Sequence, residues 1–213
     1  MKKLLFALSL MPVYVFAFQV GTNYIGAGLG KIDYEITLGS GSGSADGEFY
    51  KFGGNYNLHN IEGKYGIDLF AGASFGDGDS NLYDGDMQSY AIGVRPFLPA
   101  GIMRFYFEGI YNWGETELKV KSSGQTTKSD SDTFVPGLGF QLDIGNLTID
   151  PSLHFVRDDV DSDVSSVSLY YKLTSEYSIG AEYQHSDYNS VTVGSSTLDQ
   201  EIETLSFGVT YNF

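Results

Sequence analysis

The sequence predicts an all-β fold, a transmembrane antiparallel up-and-down β-barrel of ten strands, and three observations predict it. Alternating apolar and polar residues recur in runs along the chain, the pattern of strands with one apolar face. Short and long connections alternate between these runs, as expected for strands that cross a membrane and return. The last run carries aromatic residues on one face up to the terminal Phe213.

The first seventeen residues have the pattern of a cleaved secretory signal peptide. Lys2 and Lys3 precede an apolar stretch, and Val15 and Ala17 offer the small side chains that a signal peptidase reads. The stretch is shorter than the roughly 20 residues needed to cross a bilayer. We therefore expect residues 1–17 to be removed and residues 18–213 to form a single barrel domain.

Composition and charge exclude several classes of function. Without Lys2 and Lys3 the chain has 10 basic residues against 27 acidic ones, a net charge of −17. Binding to nucleic acid needs clustered Lys and Arg, so we expect no nucleic-acid partner. The chain contains no cysteine, which removes disulfides and thiol chemistry. No apolar run after Ala17 is long enough for a membrane-spanning helix.

The predicted strands follow one another along the chain, with connections of two kinds. The strands are predicted at 23–36, 50–58, 65–75, 90–95, 103–113, 137–144, 147–155, 166–173, 177–184 and 203–213. Short turns are predicted at 59–63, 98–101, 145–146 and 174–176, and long polar loops outside the membrane at 37–47, 76–87, 114–132, 158–164 and 188–202. Because the first and last strands both end on the short-turn side, the count is even. Eight strands are the alternative, reached if a weak run such as 165–173 merges with its neighbour.

Two strands fit the alternation less well, and the orientation of the wall needs separate arguments. The apolar residues of the first strand change parity near Gly30, so we expect a β-bulge there. Pro151 cannot donate to a sheet ladder, so we expect a local irregularity in the seventh strand. A soluble barrel with its apolar face inward would show the same period. The terminal Phe213, the alternating connections and the charges on the polar face favour the membrane orientation.

The polar face of the strands predicts an ion-pair network inside the barrel. Barrels of eight to ten strands are narrow, so side chains usually fill the interior. Unpaired charges there would be costly, so we expect most members to be paired. A substrate channel lined by the same residues is the alternative. The predicted members are Lys51, Asp68, Arg95, Arg104, Glu108, Asp143, Lys172 and Glu182.

Acidic residues in the third predicted connection resemble half of a calcium loop. Asp77, Asp79 and Asn81 have the D-x-D-x-N spacing, and Asp84 follows. The match then fails, because Leu82 replaces the required Gly and the twelfth residue is not Glu. We favour a solvated acidic loop over a metal site here. The same interpretation applies to a second acidic cluster at 158–163, and no cofactor is expected anywhere in the chain.

His185 and His154 are candidate catalytic groups, and we interpret both as structural. His185 and Asp187 lie at the outer end of the ninth strand, with acidic residues such as Asp84 elsewhere on that side. Ser186 follows His185 directly, so the two side chains point to opposite faces of a strand and cannot easily form a nucleophile–base pair. His154 lies on the predicted inner face with no obvious serine partner. His59 is predicted in a surface turn.

Taken together, the chain resembles the superfamily of small outer-membrane β-barrels, the porin-family or OmpA-like barrel proteins. The resemblance is carried by four stretches: 24–30, 93–97, 183–188 and 211–213. It implies an outer membrane of a Gram-negative bacterium, contact with lipid and lipopolysaccharide, an unidentified extracellular ligand and a monomeric state. It also implies that the barrel-assembly machinery reads a terminal signal during insertion. The residues matching that signal are Phe207, Val209, Tyr211 and Phe213.

No functional motif accompanies this resemblance, so two classes of function stay open. The first is a non-enzymatic barrel with a structural or surface-interaction role through acidic extracellular loops and at most narrow passive permeation. The second is an enzyme at the extracellular rim, either lipid A-modifying or an omptin-like protease. General base catalysis requires a histidine within about 3 Å of a carboxylate or hydroxyl. The two classes therefore differ in whether His185 or His154 meets this condition in an open cleft.

Overall fold

The structure, a computed structural model, describes residues 20–38, 41–61, 64–79, 83–157, 162–193 and 196–213. The predicted signal peptide and Asn81 lie outside these residues. No helix in the described part of the chain is long and apolar enough to cross a membrane. The ten strands are β1 (Tyr24–Leu38), β2 (Gly41–Ile61), β3 (Tyr65–Asp79), β4 (Tyr83–Ala100), β5 (Met103–Val120), β6 (Thr126–Ile144), β7 (Leu147–Val156), β8 (Ser162–Lys172), β9 (Tyr177–Val193) and β10 (Ser196–Asn212).

All ten strands pair with their chain neighbours in antiparallel fashion, and β1 pairs with β10 to close the barrel. The ten-stranded prediction is confirmed, and the eight-stranded alternative is wrong. The weak run in the sequence is β8, which pairs along its whole length with both neighbours. Closure leaves no free sheet edge, so every strand can satisfy its backbone hydrogen bonds in lipid.

The strands extend well beyond the membrane, and the prediction of long polar loops is wrong. A strand of about 10 residues is enough to cross a bilayer, whereas β2 has 21 residues and β6 has 19. Most residues predicted as loops instead continue the hairpins β1–β2, β3–β4, β5–β6 and β9–β10. Their polar composition concealed the alternation, because above the membrane both faces can carry polar side chains. The acidic residues therefore lie on strands, in fixed register.

The outer wall carries an apolar band with aromatic residues at both edges. Among the described residues, thirty-three large hydrophobic side chains are exposed, which a soluble barrel would bury. The outward residues run from Leu205 on β10 to the terminal Phe213, about 25 Å along the chain. The belt of aromatic residues at the long-hairpin end, which we call the aromatic belt, includes Tyr50, Phe75, Tyr90, Trp113, Phe134 and Tyr183. This pattern, apolar outside and polar inside, is that of a membrane barrel.

The expected bulge near Gly30 is absent, because β1 pairs without a register shift with both β2 and β10. Ile25 and Leu29 point outward, while Ile32 and Tyr34 are buried inside. The parity of the apolar residues changes because the surrounding medium changes along the strand. Within the membrane the apolar side chains face lipid, and beyond it they fill the interior while the outer face turns polar. Register shifts occur instead in the β2–β3 pair, between Asn57 and His59, and in the β9–β10 pair, between Leu198 and Gln200.

The irregularity expected at Pro151 is present on one side of β7. The pairing of β7 with β8 continues through Pro151, whereas the pairing with β6 is interrupted there and resumes at Ile149 in the same register. Pro96 interrupts the pairing of β4 with β5 in the same way. Both interruptions fit the missing backbone N–H of proline.

Candidate functional site

The interior of the membrane-spanning part contains a buried ionic cluster. Arg95 and Glu108 form an ion pair of 2.8 Å, and His154 contacts the second carboxylate oxygen of Glu108. The guanidinium of Arg95 lies between the rings of Phe70 and Tyr106, 4.9 Å from each centroid. Stacking on two aromatic faces compensates a desolvated guanidinium. The cluster therefore fills the lumen with matched groups.

A second set of buried groups continues this network across the lumen. Tyr106 donates a hydrogen bond of 2.6 Å to Asp150, and the Gln141 amide donates one of 2.8 Å to the other oxygen of the same carboxylate. Lys51 pairs with Glu182 at 2.7 Å, and both side chains are 6% exposed. The Lys51–Glu182 and Tyr106–Asp150 contacts join strands that are not neighbours, β2 to β9 and β5 to β7, whereas Gln141 and Asp150 lie on the neighbouring strands β6 and β7.

The first described residues of the chain close the short-turn end of the lumen. Val20 is fully buried against Phe97 and Tyr106. Its backbone N–H donates to the side chain of Gln141, and the N–H of Gly21 donates to Asp68. Residues 20–23 thus reach from β1 across to β3 and β6. We call this segment the N-terminal plug.

The remaining predicted members of the network lie nearer the short-turn end. Arg104 pairs with Asp143, which also accepts a hydrogen bond from Thr148. Asp68 forms no ion pair with a described residue and instead accepts hydrogen bonds from Gly21 and from Asn57. Lys172 likewise forms no ion pair within the described ranges and lines a crevice that also contains Phe213. Three predicted pairs therefore come together, and Asp68 holds the plug.

The outer face of the hairpins carries a ring of carboxylates directly above the aromatic belt. On most strands it begins two residues beyond the outward aromatic or aliphatic residue, about 7 Å along the strand. We call this ring the acidic collar. It comprises Asp33, Glu35, Asp46, Glu48, Asp77, Asp79, Asp84, Asp86, Glu115, Glu117, Asp130, Asp132, Asp163, Asp187, Glu201 and Glu203.

Many collar carboxylates stand directly opposite one another across neighbouring strands. Like charges in this arrangement are destabilising, by about 0.2–1 kcal/mol for each pair. The paired register places eleven such contacts at eight of the ten strand interfaces. They join Asp33 to Asp46 and Glu203, Glu35 to Glu201, Asp46 to Asp79, Glu48 to Asp77, Asp77 to Asp86, Asp79 to Asp84, Asp86 to Glu117, Glu115 to Asp130, Asp163 to Asp187 and Asp187 to Glu201.

Basic side chains partly neutralise one side of the collar. Lys121 pairs with Asp79 and with Asp84, and Lys128 pairs with Glu115 and with Glu117. The hydrogen bonds to their partners raise the pKa of both lysines above the usual value, Asp79 being the main cause for Lys121 and Glu117 for Lys128. Arg157 similarly pairs with Asp163.

The other side of the collar lacks such compensation. We call it the open sector, on the neighbouring strands β9, β10, β1 and β2. Its carboxylates form no ion pair with a lysine or arginine of the described residues, and the basic group in contact with them is His185. A crevice at its β1–β2 side has Lys31 in its lining. The open sector comprises Asp33, Glu35, Asp46, Asp187, Glu201 and Glu203.

His154 and His185 lie in different settings, one inside the lumen and one on the outer wall. His154 contacts Glu108 but is buried inside the lumen. His185 lies 3.2 Å from Asp187 on the outer wall, while Ser186 is buried on the opposite face, as predicted from their adjacency. The acidic residues considered with them, including Asp84, lie on the outer face of β4, on the opposite side of the barrel from β9. His59 lies at the end of β2 rather than in a turn, and is exposed.

The resemblance of 77–88 to a calcium loop does not hold in the structure. Asp77 and Asp79 are exposed residues of β3, and Asp84 belongs to β4 directly opposite Asp79. An extended hairpin cannot wrap these oxygens around one ion as a calcium loop does. Asn81 lies outside the described residues. These three aspartates are instead members of the acidic collar, which the sequence interpretation missed because it assigned them to a loop.

No model of a known protein family matches the sequence, and no curated protein matches it either. Solved structures do match. The outer membrane protease OmpT from Escherichia coli aligns with a TM-score of 0.58 at 9% identity, over 94% of this chain and 100% of that chain. The transport unit of the autotransporter AIDA-I from E. coli aligns with a TM-score of 0.55 at 14% identity, over 100% and 96%. The translocator domain of the autotransporter NalP from Neisseria meningitidis gives 0.50 at 11% identity, over 92% and 90%.

The chain has the fold of an outer-membrane β-barrel. Together with the apolar outer wall, this fold places the protein in the outer membrane of a Gram-negative bacterium, with the short turns in the periplasm and the long hairpins outside. At these identities the similarity concerns the fold and not the activity of any of the three proteins. The role of this barrel has to be argued from its own lumen and collar.

Proposed function

We propose that the protein is a non-enzymatic outer-membrane barrel that acts through its outer surface. In this proposal the acidic collar is attached to the phosphate groups of lipopolysaccharide by shared divalent cations. The observation that carries the proposal is the row of directly opposed carboxylates just beyond the aromatic belt. That is the depth at which the lipid headgroups begin, because aromatic belts mark the membrane interface.

Electrostatics requires a cation between these two surfaces. Two carboxylates about 5 Å apart repel each other by about 0.8 kcal/mol even in water, and phosphate groups would add to the repulsion. Mg²⁺ and Ca²⁺ bind carboxylate and phosphate oxygens alike. The uncompensated carboxylates of the open sector are therefore the natural place for such ions, whereas Lys121 and Lys128 already pair with four carboxylates on the other side.

The contents of the lumen argue against transport as the main role. The Lys51–Glu182 pair joins β2 to β9 through the interior, the buried Arg95–Glu108 pair fills it from the neighbouring strands β4 and β5, and Val20 fills the periplasmic end. Beyond the membrane the interior is packed with apolar side chains such as Ile32 and Ile202. We infer that permeation is at most narrow and passive.

A rim enzyme is the alternative, and the described residues give it little support. An enzyme would need His185 or His154 beside a carboxylate or hydroxyl in a cleft open to substrate. His185 faces outward at the membrane surface, and His154 is enclosed. The proposal therefore assigns both residues non-catalytic roles.

The proposal is tested by purifying the protein together with the lipopolysaccharide that stays bound to it. The sector variant carries Asp33→Asn, Asp46→Asn, Glu201→Gln and Glu203→Gln, which removes four uncompensated carboxylates. The control variant removes four carboxylates that are paired with lysine, by Asp79→Asn, Asp84→Asn, Glu115→Gln and Glu117→Gln.

Each protein is purified from outer membranes in mild detergent with Mg²⁺, and the bound lipopolysaccharide is quantified. We expect the wild type and the control variant to retain lipopolysaccharide, and the sector variant or an EDTA wash to release it. Equal retention by the sector variant and the wild type would overturn the proposal.

A further inference from the structure

The outer wall of β9 and β10 holds a histidine among three carboxylates. His185 stands directly opposite Glu203, and Asp187 stands directly opposite Glu201 on the next outward rung. The four side chains therefore form a two-by-two patch on one face of the barrel. The register of two paired strands holds it in place, so it does not depend on a loop.

The distances around the imidazole match those of a metal site. Nδ1 of His185 lies 3.6 Å from Oε1 of Glu201 and 3.7 Å from Oε1 of Glu203. Two donors bound to a tetrahedral ion at 2.0–2.2 Å are about 3.3–3.6 Å apart. Nδ1 thus lies within a few tenths of an ångström of the required spacing from one oxygen of each glutamate, and the donor atoms of His185, Asp187 and Glu201 all lie within 4.8 Å of one another.

Asp187 lies on the other side of the ring, where it can fix the tautomer. Its Oδ2 is 3.2 Å from Nε2, within reach of a hydrogen bond from an N–H at that position. With the proton on Nε2, the lone pair of Nδ1 is directed at Glu201 and Glu203. Metal-binding histidines commonly donate their second N–H to a carboxylate in this way.

A further contact supports one of the carboxylates. Tyr183 belongs to the aromatic belt just below the patch, and its hydroxyl donates a hydrogen bond to Oε1 of Glu203. Hydrogen bonds of this kind orient ligating carboxylates. No lysine or arginine of the described residues pairs with Asp187, Glu201 or Glu203, so the patch brings three carboxylates to one imidazole.

We propose that Nδ1 of His185, with Glu201 and Glu203, binds a zinc-like divalent cation on the extracellular face, with Asp187 as the positioning residue. An imidazole with carboxylates suits Zn²⁺, whereas Mg²⁺ and Ca²⁺ prefer oxygen ligands alone. The remaining position on the ion is open to water or to a donor from outside the protein. This inference does not depend on lipopolysaccharide.

Calorimetric titration of ZnCl₂ into the refolded protein, in zwitterionic detergent without lipopolysaccharide, tests the proposal. We expect one Zn²⁺ per chain. His185→Ala should weaken binding about 100-fold or more, and Asp187→Asn should weaken it about 10- to 100-fold. His59→Ala, at the periplasmic end, is the matched control and should bind as the wild type does. MgCl₂ in excess should displace little of the bound zinc.

Two results would overturn the inference: wild-type protein that binds no Zn²⁺ tighter than about 100 μM, or unchanged binding by His185→Ala. Heat-modifiable gel mobility verifies that each variant is folded. If His185→Ala does not fold, the absorption spectrum of Co²⁺ on the wild-type protein decides. Intense tetrahedral bands support the site, and the weak bands of hexa-aqua cobalt contradict it. Because this assay contains no lipopolysaccharide, a negative result leaves the proposed function of the collar untouched.

Discussion

Replacement of Lys51 by Met should destabilise the barrel by about 3–5 kcal/mol. Nζ of Lys51 lies 2.7 Å from Oε2 of Glu182, and both side chains are 6% exposed. Met retains most of the apolar stem but leaves Glu182 as a buried charge without its cation. Removing one partner of a buried ion pair costs about 3–5 kcal/mol, because the remaining charge stays desolvated.

Removal of both charges should restore most of this loss. The double variant Lys51→Met/Glu182→Leu replaces the pair with apolar groups of similar volume, a change that is often neutral or stabilising. We expect it to fall within about 1 kcal/mol of the wild type. The difference between the single and double variants isolates the cost of the unpaired carboxylate.

Urea unfolding of the refolded protein, followed by tryptophan fluorescence, measures both variants. Trp113 is the single tryptophan and lies on the outer wall, so it reports the loss of the lipid environment. Lys64→Met, at an exposed position in a periplasmic turn, is the control and should change stability little. If Lys51→Met costs less than about 1 kcal/mol, the lumen is hydrated at this pair and the filled interior is wrong.

Three further predictions concern other parts of the barrel. Gly137→Ala should destabilise the barrel by about 1–3 kcal/mol, because the new Cβ would lie 2.4 Å from the ring of His154. Gly78→Ala is the control and should be tolerated, because its new Cβ would have its nearest contact at 3.7 Å. Urea unfolding compares the two variants. A refolded chain that begins at Asn23 should unfold about 2–4 kcal/mol more easily, because it loses the buried side chain of Val20 and three hydrogen bonds of the plug. An unchanged midpoint would exclude this structural role. Deletion of Phe213, which is 64% exposed, should reduce the heat-modifiable fraction in cells while refolding in detergent proceeds normally; equal losses in both would mean that the residue acts in stability and not in insertion.

The strand count could be predicted from sequence because lipid imposes a strict rule on the outer face. Residues such as Phe207 and Val209 alternate with Gly208 and Thr210, and a closed barrel follows from the need to satisfy every backbone group. The same rule failed at Ile32, where the medium outside the barrel is no longer lipid. The sequence records the alternation but does not mark the height at which the membrane ends.

The partners inside the lumen were beyond prediction for a different reason. Lys51 and Glu182 are 131 residues apart and meet across the interior, so their contact depends on barrel closure and strand stagger. The predicted list contained both charges but not the pairing, and it omitted Asp150 and the plug. The acidic collar was missed because alternation between two polar classes, as in Asp77-Gly-Asp79, resembles a loop. If the alternation of β3 is continued past Phe75, Asp77 and Asp79 fall on the same outer face, which would have indicated the collar.

The stability of the refolded barrel in asymmetric vesicles, with lipopolysaccharide in the outer leaflet, tests the account most directly. Thermal unfolding midpoints are compared for the wild type and the sector variant, with Mg²⁺ and with EDTA, and in vesicles of phospholipid alone. The account predicts that Mg²⁺ raises the wild-type midpoint only when lipopolysaccharide is present, and that the sector variant shows no such rise. A midpoint that does not respond to Mg²⁺ in lipopolysaccharide, or an equal response from the sector variant, would contradict the proposed role of the acidic collar.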